Sequence, residues 1–300
     1  MKIEKLRTPD ERFQNLAGFP FQPNYIENLV GYDGLRVHYL DEGPTDSNEV
    51  FLCLHGEPTW SYLYRKMIPV FTRAGIRSIA PDFLGFGRSD KPIQEEVYTF
   101  DFHRKFLLEF IEKLELENLT LVCQDWGGVL GLTIPMEVPE TFKRLLIMNT
   151  GFGIGKVNEA FLKWRSFNNA NPDLKIDELM KKWTPQLSDD ECAAYSAPFP
   201  SVEYKAGVRR FPNLVPDHEN APGAALSSKA LQWWKEEWQG ESFMAIGMKD
   251  PILGPEVMKP MRACFKNCPP PLEITEGGHF VQEWGDLVAE KALVHFDLKR

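Results

Sequence analysis

Strand-like and helix-like runs take turns along most of these 300 residues. Residues 35–40 and Val50–Leu54 read as strands, and residues 60–73 as an amphipathic helix that stops at Gly75. A short strand follows over residues 76–80, a helix over 101–116, and a strand over Leu119–Cys123. Further strands are expected over residues 144–148, 243–246 and Leu272–Ile274, with a closing helix over 281–296. Such alternation calls for a mostly parallel sheet with helices on both faces and right-handed crossovers. One stretch breaks it. From 151 to 225 no good strand can be found, and the text is rich in Trp, Pro, Asn and charge, with helical patches at Ile176–Trp183 and 188–195. This segment is expected to form a helical cap domain over the sheet's C-terminal edge, where open α/β sheets bind ligands. Residues 1–150 and 226–300 then make up the core domain.

Composition narrows the partners. A formal net charge of −9 argues against nucleic acid and anionic membranes. The apolar runs are far too short to span a bilayer, and MKIEKLRTPDERF lacks the apolar stretch of an export leader. Five cysteines at irregular spacing do not suggest a disulfide framework. Cys264 and Cys268 could share a helix face, but no histidine cluster accompanies them, so neither metal nor cofactor is expected. A cytoplasmic monomer is the simplest expectation.

Chemistry enters at residues 121–130, LVCQDWGGVL. A carboxylate between an apolar strand and a helix start is costly to desolvate unless it is paired. Taken alone, Asp125 is most simply an N-cap. Its strand–turn–helix setting is also that of a nucleophile elbow, with Cys123 and Gly127 in the flanking small-residue positions. An aspartate there suits displacement of a leaving group from an sp3 carbon through a covalent ester. The chain order nucleophile, acid, histidine is completed by Asp250 in AIGMKDP and His279 in TEGGHF, each just after a strand. His38, His103, His218 and His295 lie in strand or helix text and read as structural or surface residues. LHGEPTW (54–60) fits the loop that supplies one oxyanion-hole amide, from Glu57, the other coming from Trp126. The glycine-rich stretches 82–92 and 151–156 lack the spacing of a nucleotide fingerprint.

These residues, with RTPDERF, APDFLGFGRSDKP, QDWGG, YSAPFP, AGVRRFP, FMAIGMKD and GGHFVQE, make the chain resemble the haloalkane dehalogenases of the α/β-hydrolase fold over nearly its whole length. The likeness is greatest to the 1,2-dichloroethane-degrading type. It implies Asp125 as nucleophile, His279 as base and Asp250 as its acidic partner. It implies, too, a small haloalkane and water as substrates, halide as product, and a halide held by the indoles of Trp126 and Trp164. The register of FLKWRSF and DELMKKW selects Trp164, and the other tryptophans are expected to pack. Other branches of the family have Asn at position 57 to bind halide; Glu57 points to a Trp–Trp clamp. Two departures bear on substrate preference: the segment between Thr150 and Trp164 is short, and Val129 is smaller than the expected aromatic.

Three other readings compete. An epoxide hydrolase would need two cap tyrosines, for which Tyr195 and Tyr204 are the candidates. A fluoroacetate dehalogenase should have arginine where Trp126 stands. A non-catalytic ligand receptor would not need an intact nucleophile, acid and base.

Overall fold

The computed structural model describes residues 3–299. Met1 and Lys2, at the head of the stretch read for a leader, and Arg300 lie outside the described residues. The strands, in chain order, are β1 (Lys5–Leu6), β2 (Asn24–Ile26), β3 (Val37–Glu42), β4 (Val50–Leu54), β5 (Arg77–Pro81), β6 (Lys91–Pro92), β7 (Leu119–Cys123), β8 (Phe142–Met148), β9 (Glu241–Gly247) and β10 (Leu272–Ile274). β1 and β6 form a small antiparallel ribbon, and the other eight form one sheet in the order β10-β9-β8-β7-β4-β5-β3-β2. From β5 to β10 the neighbours run parallel, while β3 and β2 are antiparallel additions at one edge. β4 and β7 are buried at every position, as strands covered on both faces must be. This is the α/β-hydrolase fold.

The helices are α1 (Ile68–Arg73), α2 (Phe100–Lys113), α3 (Trp126–Gly131), α4 (Glu159–Ala170), α5 (Ile176–Trp183), α6 (Asp189–Ser196), α7 (Ala206–Leu214), α8 (Ala224–Glu236), α9 (Pro255–Met261) and α10 (Gly285–His295). Local chemistry sets several of their starts. Thr99 caps α2 through Phe102 N–H, Asn158 caps α4 through Phe161 N–H, and Ser188 with Glu191 forms a reciprocal capping box on α6. The continuous helix expected over 60–73 is instead a 3-10 turn (Ser61–Tyr64) followed by α1. Pro69 sets the start of α1, and Tyr64 turns inward to donate to Leu54 O at 2.7 Å. Cys264 and Cys268 share no helix face, because a 3-10 turn (Arg262–Cys264) ends before Phe265 takes up an extended conformation. The closing helix likewise begins as a 3-10 turn (Val281–Trp284) before α10.

Residues 151–225 contain α4 to α7 and the start of α8, with no strand. A buried ionic cluster ties α6 to the sheet-bearing part of the chain. The Arg65 guanidinium donates to both Glu283 oxygens at 2.7 and 2.8 Å and to Glu191 Oε1 at 2.7 Å. The same guanidinium lies over the Tyr62 ring, 4.3 Å from its centroid, and the Tyr195 hydroxyl donates to Glu283. Arg65 and Glu283 are both buried, so neither charge can be left behind cheaply. Arg65→Met leaves Glu283 only the Lys66 ammonium, at 2.9 Å, as a cationic partner and is expected to cost about 3 kcal/mol, the low end for breaking a buried pair. Denaturant unfolding at neutral pH measures it.

Candidate active site

Adjacent strands β4 and β7 pair in parallel with Leu54 opposite Cys123, so the chain leaves both at the same edge. Asp125 comes two residues after β7, with φ 49° and ψ −125°. A non-glycine residue held there costs about 1–3 kcal/mol and persists only when its surroundings enforce it. They do. Asp125 N–H donates to Asn149 O at 2.9 Å, and Thr150 Oγ1 donates to Asp125 O at 2.7 Å. The turn also needs glycines on both sides. A Cβ on Gly127 would overlap Leu54 O, and one on Gly56 would overlap Asp125 Oδ1.

Although Asp125 holds the N-cap position of α3, its side chain caps nothing. Glu57 N–H donates to its Oδ1 at 2.9 Å, and the nearby Trp126 amide also favours the carboxylate's charge. Oδ2 lies 3.6 Å from His279 Nε2, and His279 Nδ1 lies 2.8 Å from Asp250 Oδ2. Asp250 accepts from Asn149 Nδ2 at 2.9 Å and from Ile252 N–H at 2.8 Å. Asp125, Asp250 and His279, expected from sequence to converge, are brought together here.

Electrostatics assign each group a charge. Burial pushes Asp125 above the ordinary carboxylate value, reinforced by Asp250 and only partly offset by His279 and the Trp126 and Glu57 amides. The amides do not by themselves offset this desolvation. Burial also opposes the His279 cation, but Asp250 and Asp125 outweigh it and raise His279 above the ordinary histidine value. For Asp250, burial is overcome by His279, Asn149 and the Ile252 amide, and the group falls below the ordinary value. Glu57 is held well above it, first by burial and then by Asp125, and its Oε1 finds no partner among the described residues. Its surroundings thus favour the neutral form.

Asp125, Trp126, Glu57 and His279 line a cavity of about 380 Å³ whose other walls include Val129, Phe152, Phe161, Leu179 and Leu253. Trp164 and Trp183 line it too, with ring centroids 5.9 Å apart; the Trp183 ring also meets the His279 ring edge-on at 5.9 Å. Trp183 was expected only to pack. Six of the eight indole N–H groups fall into two contrasting sets. Trp60, Trp234 and Trp238 donate to Ala194 O, Leu132 O and Ser242 Oγ, whereas Trp126, Trp164 and Trp183 donate to nothing among the described residues. Cys264 forms part of the wall, its thiol raised by burial. No cluster among the described residues could hold a metal ion.

Other histidines behave as sequence position suggests. His38 is buried 2.6 Å from Asp82, His103 is buried among aromatic rings, and His55 Nε2 accepts from Phe83 N–H at 3.0 Å. Two contributors were missed. Asn149 orients Asp250, and Gln124 contacts His279 through its side chain. Their only sequence signal is position: each ends or follows a strand at the edge where the site forms.

The chain matches the alpha/beta hydrolase fold family over residues 49–286. It is 43% identical to a haloalkane dehalogenase of Psychrobacter cryohalolentis, over 99% of this chain and 98% of the relative. The chain belongs to the haloalkane dehalogenases. A second member, from Mycolicibacterium paratuberculosis, is 40% identical over 96% of this chain and 97% of its own. A solved haloalkane dehalogenase from Paraglaciecola agarilytica, which is tetrameric, superposes with a TM-score of 0.96 at 52% identity, covering 97% of this chain and 98% of that one.

The raised His279 and lowered Asp250 both contribute to stability, with opposite dependence on pH. Protonated His279 is favoured by folding, so its contribution is full below the unfolded value of about 6.5 and fades as pH rises through the folded one. Asp250 contributes above its unfolded value of about 3.9, and this is lost as pH falls through the folded value. Asp250→Asn removes the chief support of the imidazolium. His279 should then titrate at lower pH than in the unmodified enzyme, followed by NMR. The stability gap between the two proteins should be wider at pH 6 than at pH 9.

Proposed function

We propose that this haloalkane dehalogenase works through a covalent ester on Asp125. The observation that carries the reading is the half-buried carboxylate with one oxygen on the Glu57 amide and the other facing the base. An Asp125 oxygen attacks the carbon bearing halogen. A C–O bond forms, the C–X bond breaks, and the electron pair leaves with halide. His279 Nε2 then takes a proton from water as its oxygen attacks the ester carbonyl carbon. The Glu57 and Trp126 amides stabilise the tetrahedral oxyanion. Collapse releases the alkoxide, which takes the proton back from His279, and the Asp125 carboxyl, one oxygen now from water, gives up its remaining proton to solvent. Asp250 orients His279 and stabilises its cation.

The departing halide is held, in this reading, by the Trp126 and Trp164 indoles. Their uncommitted N–H groups in a largely apolar cavity suit an anion, since an indole N–H donates and cannot accept. Residues 151–225 serve as the cap that keeps water low. Substrates of the 1,2-dichloroethane kind fit easily. At about 30 Å³ per water-sized unit, a 380 Å³ cavity holds roughly a dozen such units, and Val129 in its wall leaves room for chains longer than two carbons. An epoxide hydrolase is disfavoured because Tyr195 is committed to Arg65 and Glu283, and neither it nor Tyr204 lines the cavity. We infer a cytoplasmic setting, supported by five free, buried cysteines. The monomer expected from sequence competes with a tetramer like that of the Paraglaciecola agarilytica relative, and light scattering decides between them.

His279→Gln should release about one equivalent of halide per site and stop, with the alkyl mass on the peptide containing Asp125. Unmodified enzyme in ¹⁸O water should incorporate label into that same peptide in a single turnover. Label confined to the alcohol would instead mean direct displacement by water. Trp164→Phe should lower the rate on chloroalkanes about 10²-fold, the usual loss for one preorganised donor. If Trp183→Phe carries that loss while Trp164→Phe does not, the second clamp residue is Trp183.

A further inference from the structure

Gln124 immediately precedes Asp125, yet its fully buried side chain turns toward His279. Its Nε2 lies 2.9 Å from His279 Nε2 and 3.1 Å from His279 O. The second contact fixes the orientation of the amide, because a backbone carbonyl only accepts and must face the NH2 end. The NH2 group therefore also points at the ring nitrogen that faces Asp125. A nitrogen receiving a donor must carry its lone pair, so the ring proton is on Nδ1, which faces Asp250 Oδ2 at 2.8 Å. Gln124 Oε1 is buried without a partner among the described residues.

We propose that Gln124 is a positioning residue that holds His279 as the Nδ1–H tautomer, with the Nε2 lone pair ready to receive a proton. It does so by donating to the nitrogen that would otherwise be free to protonate and pair with Asp125. Such an ion pair would tie up the nucleophile before substrate arrives. When Nε2 takes a proton during turnover, two donors face each other across 2.9 Å. The amide relieves this only by turning its oxygen to the ring, which places that oxygen against His279 O. The proton is thus held in a conflicted setting and is readily returned to the leaving alkoxide.

Other groups facing His279 act on the same equilibrium. Asp250 after β9 and Asp125 at the elbow both favour the cation. Trp183 of α5 presents a ring edge, and Lys182, Lys249 and Glu276 border the outer side of the loop, where Lys249 pairs with Glu276. Gln124 is the neutral group that opposes the carboxylates at Nε2.

The inference rests on His279 being the base, and its first test is independent of turnover. In the unmodified resting enzyme above the His279 titration, long-range ¹H–¹⁵N spectra should show a proton on Nδ1 and none on Nε2. An Nε2–H tautomer there overturns the proposal, whatever the His279→Gln experiment gives. Gln124→Met then removes the donor while keeping length. Loss of one hydrogen bond to the neutral ring should move the His279 titration, and the acid limb of ester hydrolysis, to higher pH by about one unit. Gln124→Glu, which places a carboxylate at the ring, should move both further. A Met variant that is slower but titrates where the unmodified enzyme does would show that Gln124 only fills space.

Discussion

The parallel pairing of β4 with β7 is the constraint from which the site follows. With Leu54 opposite Cys123, two chain reversals emerge side by side. One reversal carries the Glu57 amide, and the other carries the Asp125 carboxylate that the amide meets at 2.9 Å. The approach is close enough that Gly56 has no room for a side chain. A one-residue slip in register would move Asp125 off the amide and turn the apolar positions of β7 to the opposite face. The strained backbone of Asp125 is affordable because β8 supplies the next strand end, where Asn149 and Thr150 hold the turn from the other side.

Around that turn the chain buries three carboxyl groups and one imidazole within a small volume, and separates their protonation by environment rather than distance. Asp250 has a hydrogen-bond donor on each side and stays charged. Glu57 has none on Oε1 among the described residues, and burial favours its neutral form. Asp125 is intermediate: amides solvate it, but burial raises the free energy of its charge. A carboxylate partly deprived of solvation is a better nucleophile than one in water, and the same amides stand where charge develops in the second step.

The sheet and the triad were legible because strong local signals carry them. Val50–Leu54, Leu119–Cys123 and Leu272–Ile274 are short apolar strands whose ends are set by turn residues. Asp125, Asp250 and His279 follow strand ends in a fixed order. Residues 60–73 misled because periodicity cannot see that Tyr64 is drawn inward by Leu54 O, a partner ten residues away. Trp183 and Gln124 were missed for a similar reason. An indole with a free N–H reads the same in sequence as one spent on a carbonyl, and a glutamine between strand and nucleophile looks like a spacer. Arg65 and Glu283 lie 218 positions apart, and no local pattern announces their pairing.

The wall of the cavity contains a second atom capable of attacking carbon. Haloalkanes alkylate thiolates readily, and Cys264 shares the chamber in which such molecules are concentrated. Its burial, against a weaker influence from Lys235, keeps the sulfur protonated and so a poor nucleophile. The chamber therefore discriminates between two side chains by solvation. In the proposed mechanism an ester on Asp125 is hydrolysed again with His279 beside it, whereas a thioether on Cys264 would be permanent.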